Sequence, residues 1–382
     1  MTKSPIWLAL GGLLAMAAGM GVGRFVYTPI LPPMIEALHL TKSQAGLIAS
    51  ANFIGYFAGA LLAALRLPGT RRPWLVGALA VNVVCLAAMG ETTDLILFLV
   101  LRAMAGVASA FILIFSSALV LDRLARDGRS GLSAVHFAGV GSGIAAASAL
   151  VACLSDWRTM WLGSAALALV ASLAVLVLVP AEQAPAQATT KAARTTFPKG
   201  FTALAIAYGL FGFGYIITAT FIVAMVRGSK EIAVLEPYIF VIFGLSAVPS
   251  VAFWTWLARR WGVLRTFAVT AIIEAAGVAV SALWITSATV IAASLLVGGT
   301  FMGLTALGLI GARQGEGDPR GRIALMTASF SFGQILGPSF AGYVYDLTGS
   351  FAGPLLAATV ALVVASALAA LTPAPSTPAQ QR

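Results

Sequence analysis

Apolar runs free of charged side chains recur from one end of this chain to the other. Each is close to the ~20 residues a helix needs to cross a hydrocarbon core ~30 Å thick. They occupy residues 43–65, 73–90, 103–121, 130–155, 159–181, 200–226, 237–258 and 323–345. The stretch 275–312 is too long for one crossing; it divides at Ser287–Thr289 into the end of one span and all of the next. Residues 347–381 supply a last span and a Pro/Ala/Gln tail. A first span from Ile6 to about Met34 contains Arg24, and a ninth over about 262–286 contains Glu274. The sequence thus predicts an all-α integral membrane protein of twelve transmembrane helices. Composition agrees, with 9% of 382 residues charged against about 25% in soluble domains. So few charges cannot cover a soluble surface, which excludes a soluble enzyme. Lys3 and the apolar residues after it imitate a signal peptide. Because Gly19 to Met34 does not read as a small-residue cleavage site, the segment is taken as the first helix.

The net charge of +10 is not a nucleic-acid footprint, because the basic residues sit in small groups between apolar runs. With the N-terminus inside, cytoplasmic segments hold Lys3, Arg66, Arg71, Arg72, Arg123, Arg126, Arg129, Lys191, Arg194, Lys199, Arg259, Arg260, Arg265, Arg313, Arg320, Arg322 and Arg382. Outer loops hold only Lys42, Arg158, Arg227 and Lys230. That bias predicts a bacterial inner-membrane protein with both termini cytoplasmic. The longest connection, 181–199, is rich in Ala, Thr, Gln and Pro and reads as a flexible cytoplasmic linker. It divides the chain into an N-terminal six-helix half (1–180), a C-terminal half (200–371) and a cytoplasmic tail (372–382). Cys85, Cys153, His39 and His136 are too few and too scattered for a disulfide framework or a zinc site. No metal or cofactor is expected.

The halves repeat. An offset of 190 sets Leu14–Gly19 against Leu204–Gly209 and Thr28 against Thr218; an offset of 194 sets Ala134, Gly139 and Gly143 against Ala328, Gly333 and Gly337. Two parallel-related halves with a site between them form a transporter architecture. Glycine pairs four apart, Gly19/Gly23, Gly55/Gly59, Gly139/Gly143, Gly299/Gly303 and Gly333/Gly337, suit close helix packing and also the rocking of one half on the other.

The run Gly19-Met-Gly-Val-Gly-Arg-Phe-Val-Tyr-Thr-Pro-Ile-Leu-Pro-Pro-Met34 resembles the first-helix signature of the YbfB/YjiJ-like branch of the major facilitator superfamily. Arg102–Gly106 with Ser109-Ala-Phe, His136–Gly141, Gly333–Pro338 and Asp346–Ser350 are also similar. The resemblance spans nearly the whole chain and implies twelve helices, alternating access and secondary transport. It departs at the inner gating loops. Arg66-Leu-Pro-Gly-Thr-Arg-Arg72 and its counterpart Leu257–Gly262 with Arg265 keep the basic residues but lack the usual Asp. Arg71, Arg72, Arg259 and Arg260 are the gating candidates.

Charges inside a bilayer are expensive, and they usually face the bundle interior with a role. Arg24 and Arg102 sit at comparable depth, and the resemblance places their helices, the first and fourth, around the cavity. Each guanidinium either pairs a ligand carboxylate or phosphate or bonds helix carbonyls; by the resemblance Arg102 is also a proton-coupling candidate. His136 and Glu274 are further coupling candidates, with buried structural roles as the alternative. Tyr208, Phe211, Tyr215 and Thr218 form one stripe on the seventh span, read either as core or as cavity wall. Tyr27, Asn52, Tyr56 and Gln334 add polar groups from the first, second and eleventh spans.

The sequence contains no Gly-x-Ser-x-Gly elbow, Walker loop or His-Glu-x-x-His motif. Transport must then run on a gradient. The expected function is proton-coupled secondary transport, by a monomer, of a small organic solute, with the two arginines favouring an organic anion such as a carboxylate. The alternative is proton-driven multidrug efflux. A channel lacks the rings of like charge it would need, and a membrane enzyme or sensor lacks motifs and soluble domains.

Overall fold

A computed structural model describes residues 4–65, 67–180, 197–314 and 319–372. Most of the expected linker, with Lys191 and Arg194, lies outside the described residues, as do Lys3, Arg66 and the tail beyond Thr372, with Arg382. Twelve helical spans follow one another, with no strand among the described residues: α1 Pro5–Leu38, α2 Lys42–Ala64, α3 Arg71–Glu91, α4 Leu95–Arg126, α5 Ser133–Ala152, α6 Trp157–Leu178, α7 Phe201–Arg227, α8 in two pieces (Glu236–Ala247 and Ser250–Trp261), α9 Val263–Leu283, α10 Ser287–Arg313, α11 Arg320–Thr348 and α12 Ala352–Leu371. Eleven are long and apolar enough by themselves to cross a membrane. The twelfth, α11, carries Thr327, Ser329, Ser331, Gln334 and Ser339 and makes its main contacts with α2 and α7. Its polar groups therefore meet protein.

Local chemistry sets the ends. Thr41 and Gln44 close a capping box at the start of α2, and Asp94 and Asp156 accept N–H bonds at the starts of α4 and α6. His39, at φ 52°, turns the chain out of α1. Pro249 lies between the two pieces of α8 and ends the first, since it has no N–H to continue the ladder. The helix α4 runs well past the expected 103–121, since a helix continues into the interface beyond its apolar run and the charges there stay solvated.

Among the first six helices α4 packs on α2 and α3, α3 on α6, and α1 on α5; among the last six α7 packs on α11 and α12, and α9 on α10 and α12. The two sets meet where α2 touches α11, α5 touches α8 and α1 touches α7. Glycine makes the closest crossings possible. Gly139 of α5 presses on the Leu13 carbonyl of α1, and Gly333 of α11 presses on the Gly209 carbonyl of α7. Between α2 and α4, Gly106 faces the Asn52 carbonyl and Gly55 faces the Ala103 carbonyl. A Cβ at Gly106 collides with backbone on both the Asn52 and Tyr56 sides, so neither helix can relieve it. Gly106→Leu is expected to cost about 3 kcal/mol or more by overpacking. Its measurable result is loss of the monodisperse detergent-solubilised peak, while a Gly77→Leu control, with nothing within 4 Å, elutes normally.

Candidate functional site

In the middle of α1 the backbone widens into a π-helical segment over Ala17–Val22. Its glycines bring no bulk, and polar side chains from neighbouring helices take the carbonyls along this stretch. Asn82 of α3 donates to Ala18 O at 3.1 Å, and Ser109 of α4 donates to Gly19 O at 2.8 Å. Arg102 of α4 donates to Gly23 O at 3.1 Å and Arg24 O at 3.0 Å. Such π segments occur frequently at functional sites. This one delivers Arg24 to the interior, 4% exposed.

The Arg24 guanidinium lies 4.6 Å from the ring centres of both Phe53 and Tyr56 on α2, and 5.6 Å from that of Phe25. These cation–π contacts hold the cation in place. Its Nε and Nη2, the two donors of one guanidinium edge, have no hydrogen-bond partner. That edge matches a carboxylate or phosphate bidentately.

Across from Arg24 stand the last six helices. Phe25 meets Phe301 of α10 edge-on at 5.8 Å, and Phe301 stacks on Tyr215 of α7 at 5.5 Å. Gln334 of α11 donates to the Tyr215 hydroxyl, while its Oε1 is unpartnered. Tyr215 stacks on Phe211, Phe301 and Phe330 at 5.1–6.0 Å. The stripe read from α7 is thus both core and wall: Tyr208 and Phe211 pack inward on Phe330, and the Thr218 hydroxyl is buried without a partner.

Arg24 meets Tyr56, and Gln334 meets Tyr215 across from them; the other candidates are held in contacts of their own. Both Nη atoms of Arg102 are committed to α1 carbonyls, and its buried Nε has no partner. Tyr27 donates to Ala45 O at 2.9 Å, and Asn52 donates to Arg102 O at 3.0 Å, tying α1, α2 and α4. His136 packs among the first six helices, 3.1 Å from the Ser117 hydroxyl and against Gly12. Glu274 of α9 is fully buried with both oxygens unpartnered. The neighbouring Thr300 donates to Leu296 O at 2.6 Å, and Tyr215 lies within electrostatic reach. The described residues contain no group of His, Cys, Asp or Glu that could hold a metal. Phe53, Asn82, Phe301 and Phe330 shape the site without having been singled out from sequence, and Ser109 entered only through the resemblance; a lone Asn in an apolar run was the available signal.

A family profile described as "Uncharacterised MFS-type transporter YbfB" matches residues 16–370. The chain belongs to this family of major facilitator transporters. No curated protein is similar enough in sequence to count as a relative. Among solved structures, a variant of the nucleoside transporter NupG is 16% identical, with 96% of this chain and 99% of that one covered and a TM-score of 0.76. A bacterial homologue of the human lysosomal transporter Spinster, inward-facing and occupied, is 14% identical, with 98% and 100% covered and a TM-score of 0.75. At these identities they show the shared fold. The protein is a multi-pass membrane transporter and not an enzyme.

Among the described residues, hydrogen bonds join the two helix sets on the side away from residues 4 and 372. Thr28 donates to Ala219 O at 2.7 Å, Ser50 to Ile335 O at 2.7 Å, and Ser339 to the Ser50 hydroxyl at 2.8 Å. At that end face Asp346 accepts from the first backbone N–H groups of α2, Lys42 at 3.0 Å and Ser43 at 2.8 Å, where a helix N-terminus favours an anion. Arg227 pairs with Glu36 and Glu236. At the other end, Arg71 pairs with Asp122 at 3.0 Å, and Arg72 donates to the carbonyls of Val179 and Leu176. Arg259 and Arg260 are exposed at the end of α8.

Proposed function

We propose that this transporter carries a small organic anion by alternating access, driven by the proton gradient. The observation that carries the reading is the buried, empty Nε/Nη2 edge of Arg24 at the meeting of the two helix sets. An uncompensated guanidinium gains most from an anionic partner, and a carboxylate fits the fork. In this reading the two six-helix halves, 1–180 and 200–371, rock about the site, and the bonds around Thr28, Ser50, Asp346 and Arg227 hold one side shut. The protein sits in a bacterial inner membrane, and the basic-residue bias supports a cytoplasmic side for both termini and the 181–199 linker. The site is assembled within one chain, so a monomer suffices. The cluster of rings around Tyr215 supports a second reading, export of a hydrophobic or cationic drug.

Purified protein in proteoliposomes separates the two. With an imposed pH gradient, a panel of labelled monocarboxylates and dicarboxylates is expected to yield a substrate that accumulates saturably and is lost on adding a protonophore. Accumulation of cationic dyes in place of carboxylates would establish the second reading. Uptake that follows ATP and ignores the gradient would rule out both.

A further inference from the structure

Arg259 and Arg260, gating candidates by the resemblance, are exposed at the end of α8. Pro249, Phe253, Trp256 and Arg260 follow at spacings of four, three and four, which puts them on one helical face. All four are exposed, Phe253 at 50% and Trp256 at 41%. The Arg260 guanidinium lies 4.3 Å from a ring centre of Trp256, whose rings are 6.1 Å from Phe253. Arg265, also exposed, stands over Trp261 at 5.6 Å. No Asp or Glu occurs between Pro237 and Ile273. The arginine cluster is thus unneutralised by its own segment and held on aromatic rings of the kind that seat at a membrane–water interface.

Above this cluster the break in α8 opens a cleft of about 290 Å³ toward the lipid, walled by α8, Ile273 of α9 and Leu295–Thr300 of α10. Its polar groups are already used. Ser250 and Trp254 donate to Gly299 O at 2.8 Å, Ser246 donates to Phe243 O at 2.9 Å, and Thr300 donates to Leu296 O at 2.6 Å. What remains is an apolar trough. At about 1.5 Å per residue, Phe253 lies about 12 Å and Ser246 about 22 Å from the helix end at Trp261. An acyl chain reaches that depth when its phosphate stands beside Arg260.

We propose that this face of α8 is a binding site for an anionic phospholipid. The phosphate pairs with Arg259 and Arg260 at the interface, and one acyl chain lies along Phe253 into the cleft over Pro249. Charge selects the headgroup, because each arginine near the surface favours an anionic lipid. The trough, with no free hydrogen-bonding group, selects a hydrocarbon chain.

Native mass spectrometry of the delipidated, full-length protein tests this, with phosphatidylglycerol and phosphatidylcholine of identical chains as probes. The wild type is expected to retain one phosphatidylglycerol about tenfold more tightly than phosphatidylcholine. Arg259→Gln with Arg260→Gln should abolish the preference, whereas Arg71→Gln with Arg72→Gln should keep it. Gly299→Leu fills the cleft and should weaken both lipids; a Cβ at Gly299 meets only Ser246 O, at 3.9 Å, so the side chain starts in open space. An unchanged thermal midpoint verifies that each variant is folded. Equal retention of the two lipids, a preference that survives the double Arg259/Arg260 variant, or displacement of the bound lipid by excess inorganic phosphate would each overturn the proposal.

Discussion

Arg24→Ala is expected to abolish saturable transport while leaving the protein folded. In the wild type the guanidinium is fixed by Phe53 and Tyr56, with both donors of one edge open. A bound anion would close that edge with two charge-assisted hydrogen bonds, away from bulk water. Truncating one partner of such a pair costs about 2–5 kcal/mol, which is about 30-fold to several-thousand-fold in affinity. Arg24→Lys keeps the charge and loses the planar fork, so about a tenfold loss is expected. Stability should behave differently. Removing an unpaired buried cation relieves desolvation and forfeits the ring contacts, so the ligand-free thermal midpoint should move little while the ligand-induced shift disappears. A midpoint that collapses with ligand affinity intact would make Arg24 a packing residue.

Glu274→Gln is expected to separate exchange from accumulation. A carboxyl group enclosed in a membrane helix without a partner is costly, and neither oxygen of Glu274 is satisfied. It lies on α9, which touches α7, the helix of Tyr215, whose hydroxyl is joined to Gln334 at the candidate site. A group that takes up and releases a proton there can be sensed at the site through Tyr215. Glutamine keeps the shape and cannot exchange a proton. One proton per cycle lets a one-unit pH gradient support about tenfold accumulation. The variant should show none of it, yet still exchange labelled for unlabelled substrate. His136→Gln should accumulate normally, since His136 sits among α1, α4 and α5 against Ser117 and Gly12. Gradient-driven accumulation by Glu274→Gln would remove Glu274 from the coupling.

Part of the candidate site was legible in the sequence. Arg24 was conspicuous as a charge within an apolar run, and Tyr56, Tyr215 and Gln334 as polar groups on spans near it. Arg102 was equally conspicuous and seemingly equivalent, yet its Nη atoms bond carbonyls 79 and 78 residues away. Those carbonyls lie just past the π segment of α1, and no periodicity announces their bonds to Arg102. Asn82 escaped notice for the same reason. The inner loop lacks the usual Asp, and Arg71 pairs with Asp122 on the neighbouring helix α4.

The sequence by itself determined the class of the protein and the order of its helices. Crossing a layer of fixed thickness at a fixed rise per residue demands apolar runs of fixed length, so those runs are countable without a structure. Only the tertiary structure decided which charges are free. Arg24 and Arg102 are chemically identical, and Arg71 and Arg260 sit in similar basic groups. Which of them bonds a carbonyl, pairs with an acid, rests on an indole or keeps an open edge depends on what the adjoining helices present. Those neighbours are set by glycine-scale backbone approach between distant segments. Hydrogen bonding acts within about 3 Å, and at that range the packing of the helices, not their order along the chain, selects the partner.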